Sequence, residues 1–189
     1  LKTSAWNLGA SATWYGSNGL YADVQGQFVW FDTDLYSDTL HASLASGNAA
    51  TGYALSIEAG QRFETNEYWA LTPQAQLIWS SLRADQFSDA WNAHYAMGDA
   101  DSLLGRAGVT IEYDRSWQDD QGMTVNTGIY GLANVYREFL NGSRSVVSGR
   151  SFATDVDKTW GGVGLRGTYA WENYKYSVYG ECLVNTSLE

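Results

Sequence analysis

The segment GLYADVQGQFVWFDTD, residues 19–34, alternates apolar and polar side chains with a period of two residues. Apolar or small residues occupy every second position from Leu20 to Trp30. The positions between them hold Tyr21, Asp23, Gln25 and Gln27, with Val29 as the exception. Successive side chains of a strand point to opposite faces, so this segment predicts a strand with one apolar and one polar face. The fold then depends on which of these faces turns toward the middle of the molecule.

Alternation of this kind recurs along the whole chain, and no apolar stripe at the helical spacing competes with it. Eight strands are predicted, at residues 5–15, 20–31, 53–63, 69–82, 103–114, 124–138, 160–171 and 175–186. Strand 124–138 is ambiguous, because VNTGIYGLANVYREF carries apolar residues on both faces. The prediction is therefore an all-β protein of a single domain, residues 1–189.

The connections between the predicted strands alternate between short and long. YGSNG, ETNEY, DRSWQDDQG and ENYK are short, whereas DTDLYSDTLHASLASGNAAT, RADQFSDAWNAHYAMGDADS and LNGSRSVVSGRSFATDVDK are long and polar. An up-and-down antiparallel meander with every long connection at one end is the simplest architecture with this order. Bacterial outer-membrane β-barrels have this asymmetry.

Large aromatic residues at both ends of the apolar faces indicate that these faces point outward into lipid. Tyr53 and Phe63, like Trp69 and Trp79, are ten residues apart. Ten residues at about 3.3 Å each, tilted by about 40°, span roughly 25 Å, the height of a lipid-facing band. Rings at both edges of such a band are typical of a membrane interface. The predicted interface aromatics are Trp6, Trp14, Trp30, Tyr53, Phe63, Trp69, Trp79, Tyr113, Tyr169 and Trp171.

The polar parity of the same strands is then expected to line a lumen. Its predicted members are Asp23, Gln25, Gln27, Glu58, Arg62, Gln74, Gln76, Arg106, Glu112, Arg166 and Glu181. Two interpretations of the charged members stay open: mutual pairing that stiffens the interior, and a polar lining for a polypeptide or helix within it. An open sheet edge in hydrocarbon costs several kcal/mol per unpaired backbone group, so the sheet is expected to close.

Composition excludes several classes of function. A net charge of −10 argues against nucleic-acid binding. The sequence contains no run of eighteen apolar residues, so no transmembrane helix is predicted. The chain opens LKTSAWNLGA, which is already strand-like, and no secretory signal is expected there. The single cysteine, Cys182, excludes an internal disulfide. It lies on the lipid parity, where an incidental small apolar residue and an engineered cross-linking site are both open interpretations.

Five stretches together resemble the translocator domain of autotransporters, the type V secretion family, in its adhesin-like branch. They are ATWYGSNGLYADVQGQFVWFD, LSIEAGQRFE, WALTPQAQLIWSSLRADQF, LLGRAGVTIEYD and IYGLANVYREFL. The resemblance implies a twelve-stranded barrel in the outer membrane of Gram-negative bacteria, with a linker helix in the pore and an N-terminal passenger on the cell surface. Residues 5–186 then correspond to strands four to eleven, and the barrel domain of residues 1–189 is expected to be incomplete at both ends. It also implies the barrel-assembly machinery as a partner.

Motifs that carry chemistry elsewhere have simpler explanations here. GVGLRG, residues 162–167, matches GxGxxG but lies within a predicted strand, with no helix after it. His41 and His94 are interpreted as solvated loop histidines. The acidic loop residues Asp32, Asp34, Asp38, Asp85, Asp89, Asp99, Asp101, Asp119 and Asp120 lack the spacing of a calcium loop. No metal, cofactor or catalytic activity is therefore expected.

Two other interpretations remain. A self-contained eight-stranded outer-membrane barrel would have a packed interior and would use its long loops for adhesion. A soluble ligand-binding barrel or esterase would bury the apolar face instead.

Overall fold

The computed structural model describes residues 2–37, 42–88, 94–97, 100–140, 144–147, 150–153 and 158–188. These residues form thirteen strands and no helix. The strands are β1 (Lys2–Tyr15), β2 (Leu20–Ser37), β3 (Ala42–Gln61), β4 (Phe63–Glu64), β5 (Trp69–Ala84), β6 (Phe87–Ser88), β7 (His94–Met97), β8 (Ala100–Gln118), β9 (Thr124–Glu138), β10 (Arg144–Val147), β11 (Arg150–Ala153), β12 (Thr159–Trp171) and β13 (Tyr176–Ser187).

Nine strands form one antiparallel sheet in the order β1-β2-β3-β5-β8-β9-β12-β13, with β4 paired to β5. Each long strand pairs with the next long strand along the chain, so the sheet is the predicted up-and-down meander. All eight predicted strands are present. Most of them extend further toward the long connections than the alternation indicates; β2, for example, continues to Ser37 and pairs there with Ala42.

Two of the long connections contain strands, so the interpretation of these segments as loops was wrong in part. β6, β7, β10 and β11 form a separate antiparallel sheet in the order β11-β10-β7-β6. Strands of two to four residues carry too few positions for a period of two to be recognised, and their pairing joins connections far apart in sequence.

Pro73 interrupts the hydrogen-bond ladder between β3 and its neighbour β5. Paired positions end at Gly60 and Gln74 and resume at Phe63 and Leu71. Proline has no N–H to donate to a ladder, which accounts for a gap at this place in an otherwise regular sheet. The gap separates the short strand β4 from β3.

Three of the four short connections contain residues in the left-handed region of φ: Gly19, Gly122 and residues 172–174. Gly19, with a φ of 82°, faces the carbonyl oxygen of Arg62 so closely that a Cβ would not fit. The turn between β12 and β13 instead uses three non-glycine residues at positive φ, 172–174. The Asn173 side chain stabilises that turn by accepting a hydrogen bond from the Thr124 N–H at 2.8 Å.

The large apolar side chains do not form a dry centre. Leu55, Ile57 and Leu77 are 43%, 52% and 47% exposed. In contrast, the side chains of Glu58 and Arg106 retain only 19% and 20% of their accessible surface. A soluble barrel or sandwich would reverse this order, so the apolar parity is the more exposed of the two faces of the sheet.

The register resolves the ambiguous strand β9. Tyr130 lies opposite Glu112, and Tyr136 lies opposite Arg106, which places both tyrosines on the polar face. Ala133 lies opposite Val109 on the apolar face. The period of two could not separate these faces, because the polar face of β9 is itself rich in aromatic and aliphatic side chains.

Candidate functional site: the polar face of the sheet

A hydrogen-bonded cluster around Glu58 lies at the centre of the polar face. Arg106 Nη2 donates to Glu58 Oε2 over 2.5 Å. The Tyr21 hydroxyl donates to Glu58 Oε1 over 2.6 Å and lies 3.1 Å from Gln74 Oε1. Both oxygens of the carboxylate are thus engaged, and its charge is balanced by the guanidinium.

The members of this cluster come from four neighbouring strands of the sheet, β2, β3, β5 and β8. Asp23, Glu58, Gln76 and Arg106 are successive partners in the register from β2 to β8, so the ion pair crosses the intervening strand β5. Parity places each residue on the face, but only the register makes Glu58 and Arg106 neighbours.

A second ion pair joins Arg62 to Glu112, again across β5. Arg62 follows the end of β3, and its N–H donates to the Gly19 carbonyl oxygen at 2.8 Å. The two side chains retain 44% and 32% of their accessible surface. Water screens a pair this exposed, so it contributes less than the Glu58 pair.

Shorter polar side chains extend the network toward the β1 edge and along β3. Thr13 Oγ1 donates to Asp23 Oδ2 over 2.5 Å, and Gln25 Nε2 donates to Asp23 Oδ1 over 2.8 Å. Gln76 Nε2 donates to Ser56 Oγ over 2.8 Å. Gln27 lies in register with Ala54 on the same face.

The last two predicted residues of the polar face lie opposite each other near the β13 edge of the sheet. Arg166 on β12 lies opposite Glu181 on β13. The guanidinium of Arg166 also lies over the ring of Tyr179, with Cζ 5.8 Å from the centroid. Their role in lining a lumen, like that of the other polar-face residues, stays a prediction.

The aromatic residues of this face that were not among the predicted site residues include Tyr21, Tyr130, Tyr136 and Trp160. The rings of Tyr136 and Trp160 are stacked, with centroids 5.4 Å apart and planes inclined by 9°. Polarity alone assigns aromatic rings to the apolar coat, although the alternation gives Tyr21 the parity of Asp23. The cross-strand partners of these residues would have identified them.

The carboxylate of Glu138 closes the polar face at the end of β9. It accepts hydrogen bonds from Ser102 Oγ at 2.5 Å and from the Leu103 and Leu140 N–H groups at 2.9 Å each. This side chain ties β8 to the segment that leaves β9. Sequence reasoning missed it because Glu138 is the last residue of the ambiguous strand.

The predicted interface aromatics fall into two groups on the apolar face. Trp14, Phe63, Trp69, Tyr113, Tyr169 and Trp171 lie near the short turns, and Trp6, Trp30, Tyr53 and Trp79 lie toward the long connections. Ring contacts link neighbouring strands in both groups: Trp69 and Tyr113 have centroids 4.9 Å apart, and Tyr53 and Trp79 have centroids 5.1 Å apart. Their position at a lipid interface stays a prediction.

Other candidate motifs have ordinary surroundings. The GVGLRG segment lies within β12. The Asp119 carboxylate accepts hydrogen bonds from the Gln121 and Met123 N–H groups at 2.9 Å each, as in a turn. His94 lies in β7, whereas His41, Asp38, Asp89 and Asp99 lie outside the described residues.

Across the part of the chain that the structure describes, no group of three or more histidine, cysteine or acidic residues is arranged to hold a metal ion. Within the same residues, no helix has the length and apolar character needed to cross a membrane. Cys182 is a free thiol, exposed on β13 opposite Leu165.

Comparison with known proteins identifies the family. The family model described as the autotransporter beta-domain matches residues 1–182. The chain is 44% identical over all of its 189 residues to the adhesin BmaC autotransporter of Brucella suis biovar 1 (strain 1330), of which it spans 6%. It is 26% identical over 183 residues, 93% of the chain, to the pertactin autotransporter of Bordetella parapertussis (strain 12822), of which it spans 19%.

A solved structure shares the fold. The beta domain of the Bordetella autotransporter BrkA matches 98% of the chain with a TM-score of 0.55 and 17% identity, and the match spans 68% of that structure. The chain belongs to the autotransporter β-domain family. This confirms the resemblance and the transmembrane barrel class, and it implies the bacterial outer membrane as the location. The sheet is open within the described residues, with β1 and β13 at its two edges.

Proposed function

We propose that this chain is part of an outer-membrane translocator that anchors an N-terminal passenger and helps it to be secreted or displayed on the cell surface. The observation that carries the proposal is the inverted burial of the sheet. Its aliphatic side chains are exposed, whereas the ion pair of Glu58 and Arg106 is recessed. A sheet of this kind suits lipid on one side and a polar conduit on the other.

The apolar face supplies the anchor. Exposed leucine, isoleucine and valine side chains lose contact with water when they enter hydrocarbon, which is favourable by about 25 cal/mol for each Å². The two groups of aromatic residues hold the domain at the interfaces, where a ring with a polar edge is most stable. In this proposal the sheet stays at a fixed depth while another part of the polypeptide moves.

The polar face supplies the conduit. Because the Glu58 carboxylate is already bound by Arg106 and Tyr21, it offers little unbalanced charge to a passing chain. A lining of paired charges is therefore stiff and binds a passing chain only weakly. In this proposal the same charges both stiffen the interior and form a polar lining for a polypeptide. The mechanism uses no nucleotide, cofactor or catalytic residue.

Three partners belong to the proposal. The passenger and a linker helix would occupy the conduit. Both would belong to the longer polypeptide that contains this chain, which is called the parent protein below. The barrel-assembly machinery would insert the strands, since edges such as β1 and β13 are costly to expose to lipid before they are paired.

Surface labelling of the parent protein tests this function. An epitope placed upstream of residue 1 should be accessible to antibody on intact cells. The same epitope inserted in the turn at residues 119–122 should stay inaccessible, because that turn lies at the end opposite to the long connections. A parent protein that is folded in the outer membrane but keeps the upstream epitope inside would contradict translocation.

Channel conductance separates the proposal from the self-contained eight-stranded barrel. A barrel closed by eight strands is nearly filled by its own side chains, whereas a wider barrel conducts once it has been emptied. The parent barrel, freed of its passenger and linker and reconstituted in a planar bilayer, should therefore show stable open channels. A folded but silent barrel favours the eight-stranded alternative.

A further inference from the structure

One row of the polar face alternates glycine with larger polar residues, and side chains of the row lie over its glycines. The row follows the cross-strand register from Tyr21 on β2 through Gly60, Gln74, Gly108, Asn134 and Gly162 to Asn185 on β13. Large polar residues alternate with glycine at every step across the seven strands. We call it the flush row.

Each glycine of the flush row is covered by the side chain of a neighbour. A Cβ at Gly60 would lie 2.6 Å from Cε1 of Tyr21. At Gly162, the space that a Cβ would need is filled by Asn185 Oδ1. The side chains of Tyr21 and Asn185 therefore lie along the wall, over the adjacent strand, instead of projecting from it.

The third covered glycine shows how tightly this arrangement is held. The side-chain oxygen of Asn134 fills the space beside Gly108, and Asn134 is only 7% exposed. This buried oxygen has no hydrogen-bond partner among the residues that the structure describes. A buried amide oxygen without a partner costs free energy. Other interactions must therefore offset this cost and hold the Asn134 side chain flat against the sheet.

The adjacent row, two residues toward the long connections, is the opposite in character. It contains Asp23, Glu58, Gln76, Arg106, Tyr136 and Trp160 in one continuous register, with no glycine among them. Three of these six residues are charged. The members of the flush row, in contrast, are glycine, amide or phenol, and they carry no charge at neutral pH.

We propose that the flush row is the surface against which the parent polypeptide lies while it crosses the barrel. This inference rests on the proposed translocation. Side chains that lie flat over the glycines leave more room for a bulky segment. The neutral polar groups of the row make weak and exchangeable contacts to any sequence. Because the row runs along the hydrogen-bonding direction of tilted strands, the contact surface winds around the conduit.

Gly162→Ala in the parent protein tests the proposal. The new Cβ meets only side-chain atoms, so it displaces Asn185 from the wall and into the conduit without a clash with backbone. We expect the rate at which the upstream epitope reaches the cell surface to fall several-fold. Gly162→Ala combined with Asn185→Ala should restore it.

Gly128→Ala is the matched control. Gly128 lies on the same face, but a Cβ there would meet only Asp114 Oδ2, at an ordinary contact distance of 3.6 Å. Its rate should equal that of the wild type. If the folded Gly162→Ala barrel also exports the epitope at the wild-type rate, or if the double variant stays slow, the flush row does not carry the passing chain. A wild-type parent that displays no epitope would instead refute the proposed function itself.

A second pair of variants covers the case in which Gly162→Ala fails to assemble. Asn185→Ala keeps the row flat, and Asn185→Trp places there a side chain too large to lie over Gly162. With both barrels folded, as judged by resistance to protease, export should be slow only for Asn185→Trp. Equal rates for the two variants would overturn the proposal.

Discussion

The two halves of the polar face are ordered by different interactions. On β2, β3, β5 and β8, hydrogen-bonded ion pairs connect the strands, with Glu58 and Arg106 at the centre. On β9, β12 and β13, aromatic stacking and apolar contact replace them: Tyr136 stacks on Trp160, and Leu132 and Leu183 close over Gly164. That second half also holds a depression of about 450 Å³ next to Arg166 and Glu181.

The comparison shows that a polar face does not require one kind of bonding. Ion pairs give direction and charge balance, but each one must be complete, since an unpaired charge is costly in a recessed site. Stacked rings tolerate the loss of a partner better. The charged half should therefore respond more strongly to single substitutions than the aromatic half.

Arg106→Ala should give the largest loss of stability. Glu58 would keep only the Tyr21 hydroxyl as a partner, and leaving one member of a largely buried ion pair alone costs about 3 kcal/mol. Urea unfolding of the parent barrel in lipid vesicles, followed by tryptophan fluorescence, measures the change. Arg106→Met combined with Glu58→Gln removes both charges and should recover most of the stability. Equal losses in the single and double variants would show that the charge is not what matters.

Trp160→Ala should have an intermediate effect. The stack with Tyr136 contributes about 1 kcal/mol beyond the buried area, and the second half of the polar face has no charge that would be left unpaired by this change. The same unfolding measurement applies. Trp160→Phe retains an aromatic ring against Tyr136 and should lose less. A loss for Trp160→Ala as large as that for Arg106→Ala would erase the distinction between the two halves.

Arg62→Ala should have the smallest effect, at most about 1 kcal/mol, although it removes an ion pair from the same half as Arg106. Both partners of this pair are partly exposed, so water compensates for the lost contact. The difference from the wild type should shrink as salt is added. A large loss of stability that does not change with salt would mean that burial does not determine which of the two ion pairs contributes more to stability.

The sequence could predict the strands and the faces because both follow from the period of two. It could not predict partners, since Glu58 and Arg106 are brought together by register across three strands. The aromatic half was the hardest part. Tyr136 and Trp160 share a face with charged residues, and a prediction based on polarity alone assigns such rings to the apolar coat.

The strands in the long connections were missed for a different reason. Segments such as β10 and β11 have four residues each and pair with each other or with β7, far away in sequence. Local alternation carries no information about such a partner. The same limit explains why Arg62 could be assigned to the polar face, whereas its pairing with Glu112 could not.

The gap in the ladder opposite Pro73 has a mechanical consequence. Everywhere else between β3 and β5, regular cross-strand bonds resist sliding and bending of one strand against the other. This restraint is interrupted at Gln61 and Arg62, which have no paired position on β5, and beyond the gap the two pairs of β4 with β5 and the turn itself hold the hairpin. The end of the hairpin beside the short turn can therefore bend more easily than the rest of the sheet.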